Sequence, residues 1–220
     1  MYQTIIFDVD GTLLDSEKIY MGAWRKTAAE FGYPLPEQAL LETRAINTVA
    51  AKKIFLKYCG DTFPYDEMIP RKRILTEEMF AASDPETLKM PKAEETLKTL
   101  KEQGFRLAAA SSTPYEKSCL HLKHAGLFHY FDAIVCSDMV EKGKPAPDIF
   151  LKAANLTQTP PSRCLVVGDT PADVFGAHAA KIPMILIPDQ VPANAETRAL
   201  SRFVLPDLSH LLKTIEELNS

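Results

Sequence analysis

Residues Thr4-Ile5-Ile6-Phe7-Asp8-Val9-Asp10-Gly11-Thr12-Leu13-Leu14-Asp15-Ser16 take the chain from an unbroken apolar run directly into two carboxylates one residue apart. An apolar run closed by turn residues reads as a buried strand, and open α/β sheets place ligand chemistry at the carboxyl ends of such strands. Period-2 alternation puts Asp8 and Asp10 on the same side of the strand axis, so one can attack a substrate atom while the other moves a proton. Gly11 and Thr12 let the backbone turn sharply. Taken alone, the stretch also fits an Asp-Gly hairpin turn with a solvated aspartate beside it, and the rest of the chain has to separate the two.

Immediately downstream the pattern is helical. Ile19, Ala23, Trp24, Thr27 and Phe31 fall at helical spacing over residues 17 to 32, with Asp15-Ser16 as the cap and Gly32 as the stop. Helical patterns follow over 36 to 43, 48 to 58 and 65 to 82, and Pro70 is expected to kink the last or to start a new helix. No strand-like alternation occurs between Asp15 and Asp84, so residues 16–84 read as a small all-α insertion. Its basic residues Arg44, Lys52, Lys53, Arg71, Lys72 and Arg73 could meet an anionic substrate, although such residues more often form a solvated helix face.

From Met90 onward, helices alternate with short strands at Phe105 to Ala110, Ala133 to Cys136, Cys164 to Val167 and Met184 to Ile187. Strands separated by helices imply right-handed crossovers and a parallel sheet covered on both faces. The expected architecture is α/β: a Rossmann-like parallel-sheet core formed by residues 1–15 and 85–220, with the first strand central, plus the all-α unit 16–84.

Composition bounds the function. The 220 residues are 46% apolar and 25% charged, ordinary for a globular protein with a real core. The net charge is −4 and the longest basic run is Arg71-Lys72-Arg73, so a nucleic-acid partner has no electrostatic footprint. No run approaches the roughly 18 apolar residues of a membrane span. Cys59, Cys119, Cys136 and Cys164 stand singly and read as small buried hydrophobes. Seven residues precede Asp8, too few for a signal peptide, and a reducing cytoplasm is the expected location.

Three strands end in polar clusters, Asp8/Asp10, Ser111/Ser112/Thr113 and Asp169, and a loop adds Lys142-Gly143-Lys144-Pro145. In a parallel sheet all carboxyl ends lie on one edge, so clusters a hundred residues apart can converge. Together they supply a carboxylate nucleophile, a second carboxylate, a hydroxyl, a cation and a further acidic group. That set suits phosphoryl transfer, in which the protein positions the group and neutralises its equatorial charge. Carboxylate oxygens from Asp8 and Asp169 favour a hard ion such as Mg²⁺. Asp169 alone would also fit a helix N-cap.

These residues, in this order, resemble the motifs of the haloacid dehalogenase superfamily, in the subgroup close to phosphoglycolate phosphatase and β-phosphoglucomutase. Asp8-Val9-Asp10-Gly11-Thr12 is similar to the first motif and Ser111 after its strand to the second. Lys144 in Lys-Pro-Ala-Pro-Asp is similar to the third, and Gly168-Asp169-Thr170-Pro171-Ala172-Asp173 to the fourth. The resemblance implies Asp8 as the nucleophile that becomes an aspartyl phosphate and Asp10 as the acid/base. It implies Ser111 and Lys144, with Ser112 as a second contact, on the phosphoryl oxygens. The metal falls to Asp8, the backbone carbonyl of Asp10 and Asp169, with Asp173 auxiliary. Lys142 is a rival to Lys144, but the Pro-Ala-Pro-Asp that follows favours Lys144. Residues 16–84 match the family's helical cap, in which Thr43-Arg44-Ala45-Ile46-Asn47-Thr48 departs from the Gly-containing segment of related caps.

The implied activity is a Mg²⁺-dependent phosphatase acting on a small phosphorylated metabolite, a sugar phosphate or phosphoglycolate type. The alternative is a phosphosugar mutase, yet the mutases carry a His early in the first cap helix where this chain has Tyr20. A metal-free dehalogenase would give Asp10 no leaving group to protonate, and a receiver-like signalling domain would need only about 120 residues and no cap.

Overall fold

The computed structural model describes residues 1–43 and 48–219. Residues 44–47, which include Arg44 and the middle of the departure noted over 43–48, lie outside the described residues. The chain divides into two compact units, Met1–Asp15 with Pro85–Ser220, and Ser16–Asp84.

The larger unit carries six parallel strands: β1 (Thr4–Phe7), β2 (Arg106–Ser111), β3 (Ala133–Cys136), β4 (Cys164–Gly168), β5 (Met184–Leu186) and β6 (Phe203–Val204), in the order β3-β2-β1-β4-β5-β6. Strand β1 lies between β2 and β4, with Ile6 in register with Ala108 on one side and Val166 on the other. The order is set by the crossovers. Each strand pair is parallel, so each connection must climb back over a sheet face, and helices supply the return.

Strand residues alternate between two buried faces, the reason these strands read as continuous apolar runs. Ile6, Ala108, Val135 and Val166 share one core with Ile149, Phe150 and Ala153 of a helix over Asp148–Leu156 and with Val174 and Ala177 of another over Pro171–Ala179. The intervening Ile5, Phe7, Leu107 and Val167 are buried on the opposite face. The helix over Ala93–Glu102 packs on β2, and the helix over Leu211–Asn219 packs on it in turn. Each large side chain withdrawn from water in this way contributes about 1.5–3 kcal/mol.

The Ser16–Asp84 unit contains helices over Glu17–Glu30, Glu37–Glu42, Thr48–Cys59 and Tyr65–Ala82. Its core is aromatic: Trp24 packs at 4.6 Å from Phe55 and 5.2 Å from Tyr65, centroid to centroid, and Phe55 at 5.6 Å from Phe63. A few large rings give so small a unit enough buried area to hold together. Of the two expectations for Pro70, a new helix does not start there: one helix runs from Tyr65 to Ala82 with Pro70 inside it. Pro70 and Asp66 are exposed, on a side of the helix where water can take the place of the N–H that proline lacks.

Candidate active site

The apolar strand β1 delivers Asp8 to the edge of the sheet, where the Asp8 N–H still bonds to the Val167 carbonyl at 2.8 Å. The chain then folds back within four residues: Gly11 N–H reaches the Leu14 carbonyl at 2.8 Å, and Leu14 N–H the Val9 carbonyl at 2.9 Å. Gly11 has φ +86°, and a Cβ there would stand 2.5 Å from Asp169 Oδ2. The turn needs glycine twice over, for its backbone and for the carboxylate from β4 that approaches it. Thr12 Oγ donates to Asp169 Oδ1 at 3.2 Å from the same turn.

Lys144 unites the site. Its side chain is 3% exposed, and its ammonium donates to Asp8 Oδ1, to the Ala110 carbonyl at 2.7 Å and faces Asp173 Oδ1 at 2.6 Å. The last contact is an ion pair without well-aligned hydrogen-bond geometry. Asp173 is in turn fixed by a reciprocal cap at the start of its helix. Its N–H donates to Thr170 Oγ at 3.3 Å, and its Oδ2 accepts the Thr170 N–H at 3.1 Å. Asp173 thus touches the lysine directly. Lys142, the rival, is exposed.

Asp8, Asp169 and Asp173 are all buried, and each offers a carboxylate oxygen within 4.8 Å of the others. Burial pushes the Asp8 carboxyl up to about 7, with Lys144 opposing and Asp173 adding to the rise. Burial also raises Asp169 well above the usual carboxylate range, reinforced by the charges of Asp8 and Asp173. Burial alone would depress Lys144, but the carboxylates of Asp173 and Asp8 overcome it and hold its proton above the ordinary lysine range. Three carboxylates against one ammonium leave an ionised cluster two charges short. An all-oxygen donor set with that deficit fits a divalent hard cation.

Asp10 points to a different set of partners. Its Oδ2 accepts Thr113 Oγ at 3.0 Å and Ser111 Oγ at 3.4 Å, both from the end of β2. Ser112 lies between them in sequence and is exposed. Thr113 and Thr12 are contacts the sequence reading did not single out; the only signal for Thr113 was its place in a polar triplet after an apolar strand. In the smaller unit, Arg71 pairs with Glu30 at 2.6 and 2.7 Å, Lys52 pairs with Asp66, and Lys53 and Arg73 are exposed. Lys72 Nζ sits 4.8 Å from the ring centroid of Tyr20.

Residues 5–187 match the model of the haloacid dehalogenase-like hydrolases. The chain belongs to that family. Among relatives of this haloacid dehalogenase-like hydrolase is the phosphorylated carbohydrates phosphatase of Thermotoga maritima, 28% identical over 83% of each chain. Another is the fructose-1-phosphate phosphatase YqaB of Escherichia coli, 30% identical over 81% of this chain and 93% of its own. The fold is also that of β-phosphoglucomutase from Clostridium difficile, with a TM-score of 0.79 at 21% identity over 99% of this chain and 96% of that one.

Proposed function

We propose that this hydrolase is a phosphatase of small phosphorylated metabolites, of the sugar phosphate or phosphoglycolate type, working through a phosphoryl group carried on Asp8. The observation that carries this reading is the buried Asp8–Lys144–Asp173 contact with Asp169 beside it, adjacent in the fold to an Asp10 held by hydroxyls. The phosphatase names of relatives near 30% identity support it.

In the first step an Asp8 oxygen bonds to phosphorus as the ester P–O bond breaks, and Asp10 gives its proton to the departing alkoxide. In the second, Asp10 takes a proton from water, which attacks phosphorus, releasing inorganic phosphate and restoring Asp8. Ser111 and Lys144, with Ser112, hold the phosphoryl oxygens, and Lys144 neutralises charge where it develops. Asp8, the Asp10 carbonyl and Asp169 would hold Mg²⁺, with Asp173 in support, and the ion would offset the repulsion between carboxylate and phosphate. The Ser16–Asp84 unit takes the cap's role of excluding water during transfer.

A phosphatase is preferred to a mutase because Tyr20 stands where the mutases carry a His. Its ring lies edge-on to Phe80 at 5.8 Å and under Lys72. The four cysteines are free thiols, which suits the cytoplasm. The test is phosphate release from a panel of sugar phosphates, phosphoglycolate, nucleotides and pyrophosphate, with and without Mg²⁺, by wild type and Asp8→Asn. Mg²⁺-dependent release by wild type alone is expected. Isomerisation of β-glucose 1-phosphate with negligible release, given a trace of the 1,6-bisphosphate, would overturn the phosphatase in favour of the mutase.

A further inference from the structure

Beyond β2 the chain turns through Ser111-Ser112-Thr113 before Pro114. Ser111 Oγ accepts the Thr113 N–H at 3.0 Å, a hydroxyl-closed turn that folds residue 113 back over residue 111. Both hydroxyls thereby converge on one oxygen, Asp10 Oδ2. The Thr113 contact at 3.0 Å is within the range of a good O–H···O bond, whereas the Ser111 contact at 3.4 Å is beyond it. The bond from Thr113 spans 103 positions of sequence. It is not a helix cap, because the next helix, Tyr115–His124, is capped at Pro114 with no side-chain bond.

We infer that Thr113 is a positioning residue for Asp10, a role that rests on the phosphatase reading above. A carboxylate is planar, so tethering Oδ2 sets the direction of Oδ1 toward the ester oxygen it must protonate. Ser111 cannot do this throughout the cycle. Its hydroxyl is needed by the phosphoryl group, and its long contact to Asp10 is the one given up when substrate arrives. Thr113 then remains as the tether.

The consequence is specific to proton transfer. An alkoxide leaves poorly without a proton, whereas p-nitrophenolate leaves readily without one. The experiment compares wild type, Thr113→Val and Thr113→Ser on p-nitrophenyl phosphate and on whichever alkyl phosphate of the panel wild type turns over fastest. Thr113→Val should lower kcat/KM, which reports the phosphorylation of Asp8 and not the later hydrolysis common to both esters, by about 10- to 100-fold on the alkyl ester, part of the full worth of an acid/base group, and by less than about threefold on the aryl ester. Thr113→Ser should restore most of the loss. In an Asp10→Asn background, Thr113→Val should cost nothing further, because the two act as one unit. Thermal melting checks that the variants fold, and Thr113→Ala carries the same comparison if the valine protein does not. Equal losses in kcat/KM on both esters, an unchanged kcat/KM on the alkyl ester, or a serine variant as impaired as the valine one would overturn the role. Wild type inactive on every phosphate ester would instead refute the phosphatase reading, and this role would fall with it.

Discussion

Gly168→Ala tests how tightly the lysine is held. Gly168 ends β4, and a Cβ built on it would stand 2.8 Å from Asp173 Cγ and 2.9 Å from Asp173 Cβ, where ordinary contact begins at 3.4 Å. The Asp173 side chain must therefore retreat by about 0.6 Å, the difference between 3.4 and 2.8 Å. It cannot swing freely, because the Thr170 N–H holds one of its oxygens and Lys144 faces the other. The displacement passes to Lys144 and so to Asp8. Overpacking a filled site costs about 1–3 kcal/mol, or a fall in Tm of roughly 2–12 °C for a chain of this size. A misplacement near 1 Å is worth about 10²-fold in rate, so a shift of 0.6 Å should lower kcat/KM by about 10-fold. Gly143→Ala is the control, since nothing lies within 4 Å of its Cβ and its backbone is not left-handed; it should change stability by less than about 0.5 kcal/mol. Scanning calorimetry and initial rates read both variants. A Gly168→Ala protein with wild-type Tm and kcat/KM would refute the coupling from Gly168 through Asp173 to Lys144.

Asp10→Ala should lower kcat by on the order of 10²- to 10⁴-fold, the usual worth of a general acid/base; unchanged rates would remove Asp10 from proton transfer. Lys144→Ala should cost on the order of 10²- to 10³-fold in kcat, and unchanged kinetics would move its role to Lys142. With divalent cations chelated, urea unfolding should show stability falling as pH rises. Burial takes the Asp8 carboxyl from 3.8 to about 7, so its charge costs the fold nothing below about pH 4 and its full amount above about pH 7. At 1.36 kcal/mol per pH unit, the limit is about 4 kcal/mol. The Asp8→Asn protein should lack that share of the slope, and parallel curves for the two proteins would contradict it.

The sheet was legible because its strands obey one rule. Ile5, Ile6 and Phe7, or Leu165, Val166 and Val167, are apolar on consecutive positions since both faces are covered, and the need to bring Asp8 and Asp169 together places β1 beside β4. Strand β6 escaped because two residues, one of them the 39%-exposed Phe203, have no periodicity to read. The short helices at Pro85–Leu88 and Ala195–Leu200 are too brief for a helical repeat to show. Whether Pro70 stays inside one helix or starts a new one depends on which side of the helix faces water, which the local sequence does not state. At the site, motif spacing singled out the residues but not their contacts. Whether Asp173 grips the lysine, and whether Asp10 turns to Thr113, are settled by a helix cap and a hydroxyl turn that form only once distant strands are aligned.

The central claim is that Asp8 accepts the phosphoryl group. Enzyme mixed with its fastest substrate and Mg²⁺, quenched in acid during turnover and digested, should carry a phosphoryl group on the peptide containing Asp8. The Asp8→Asn protein treated identically should carry none. Phosphate release by wild type with an unmodified Asp8 peptide at every quench time, together with undiminished release by Asp8→Asn, would contradict the account.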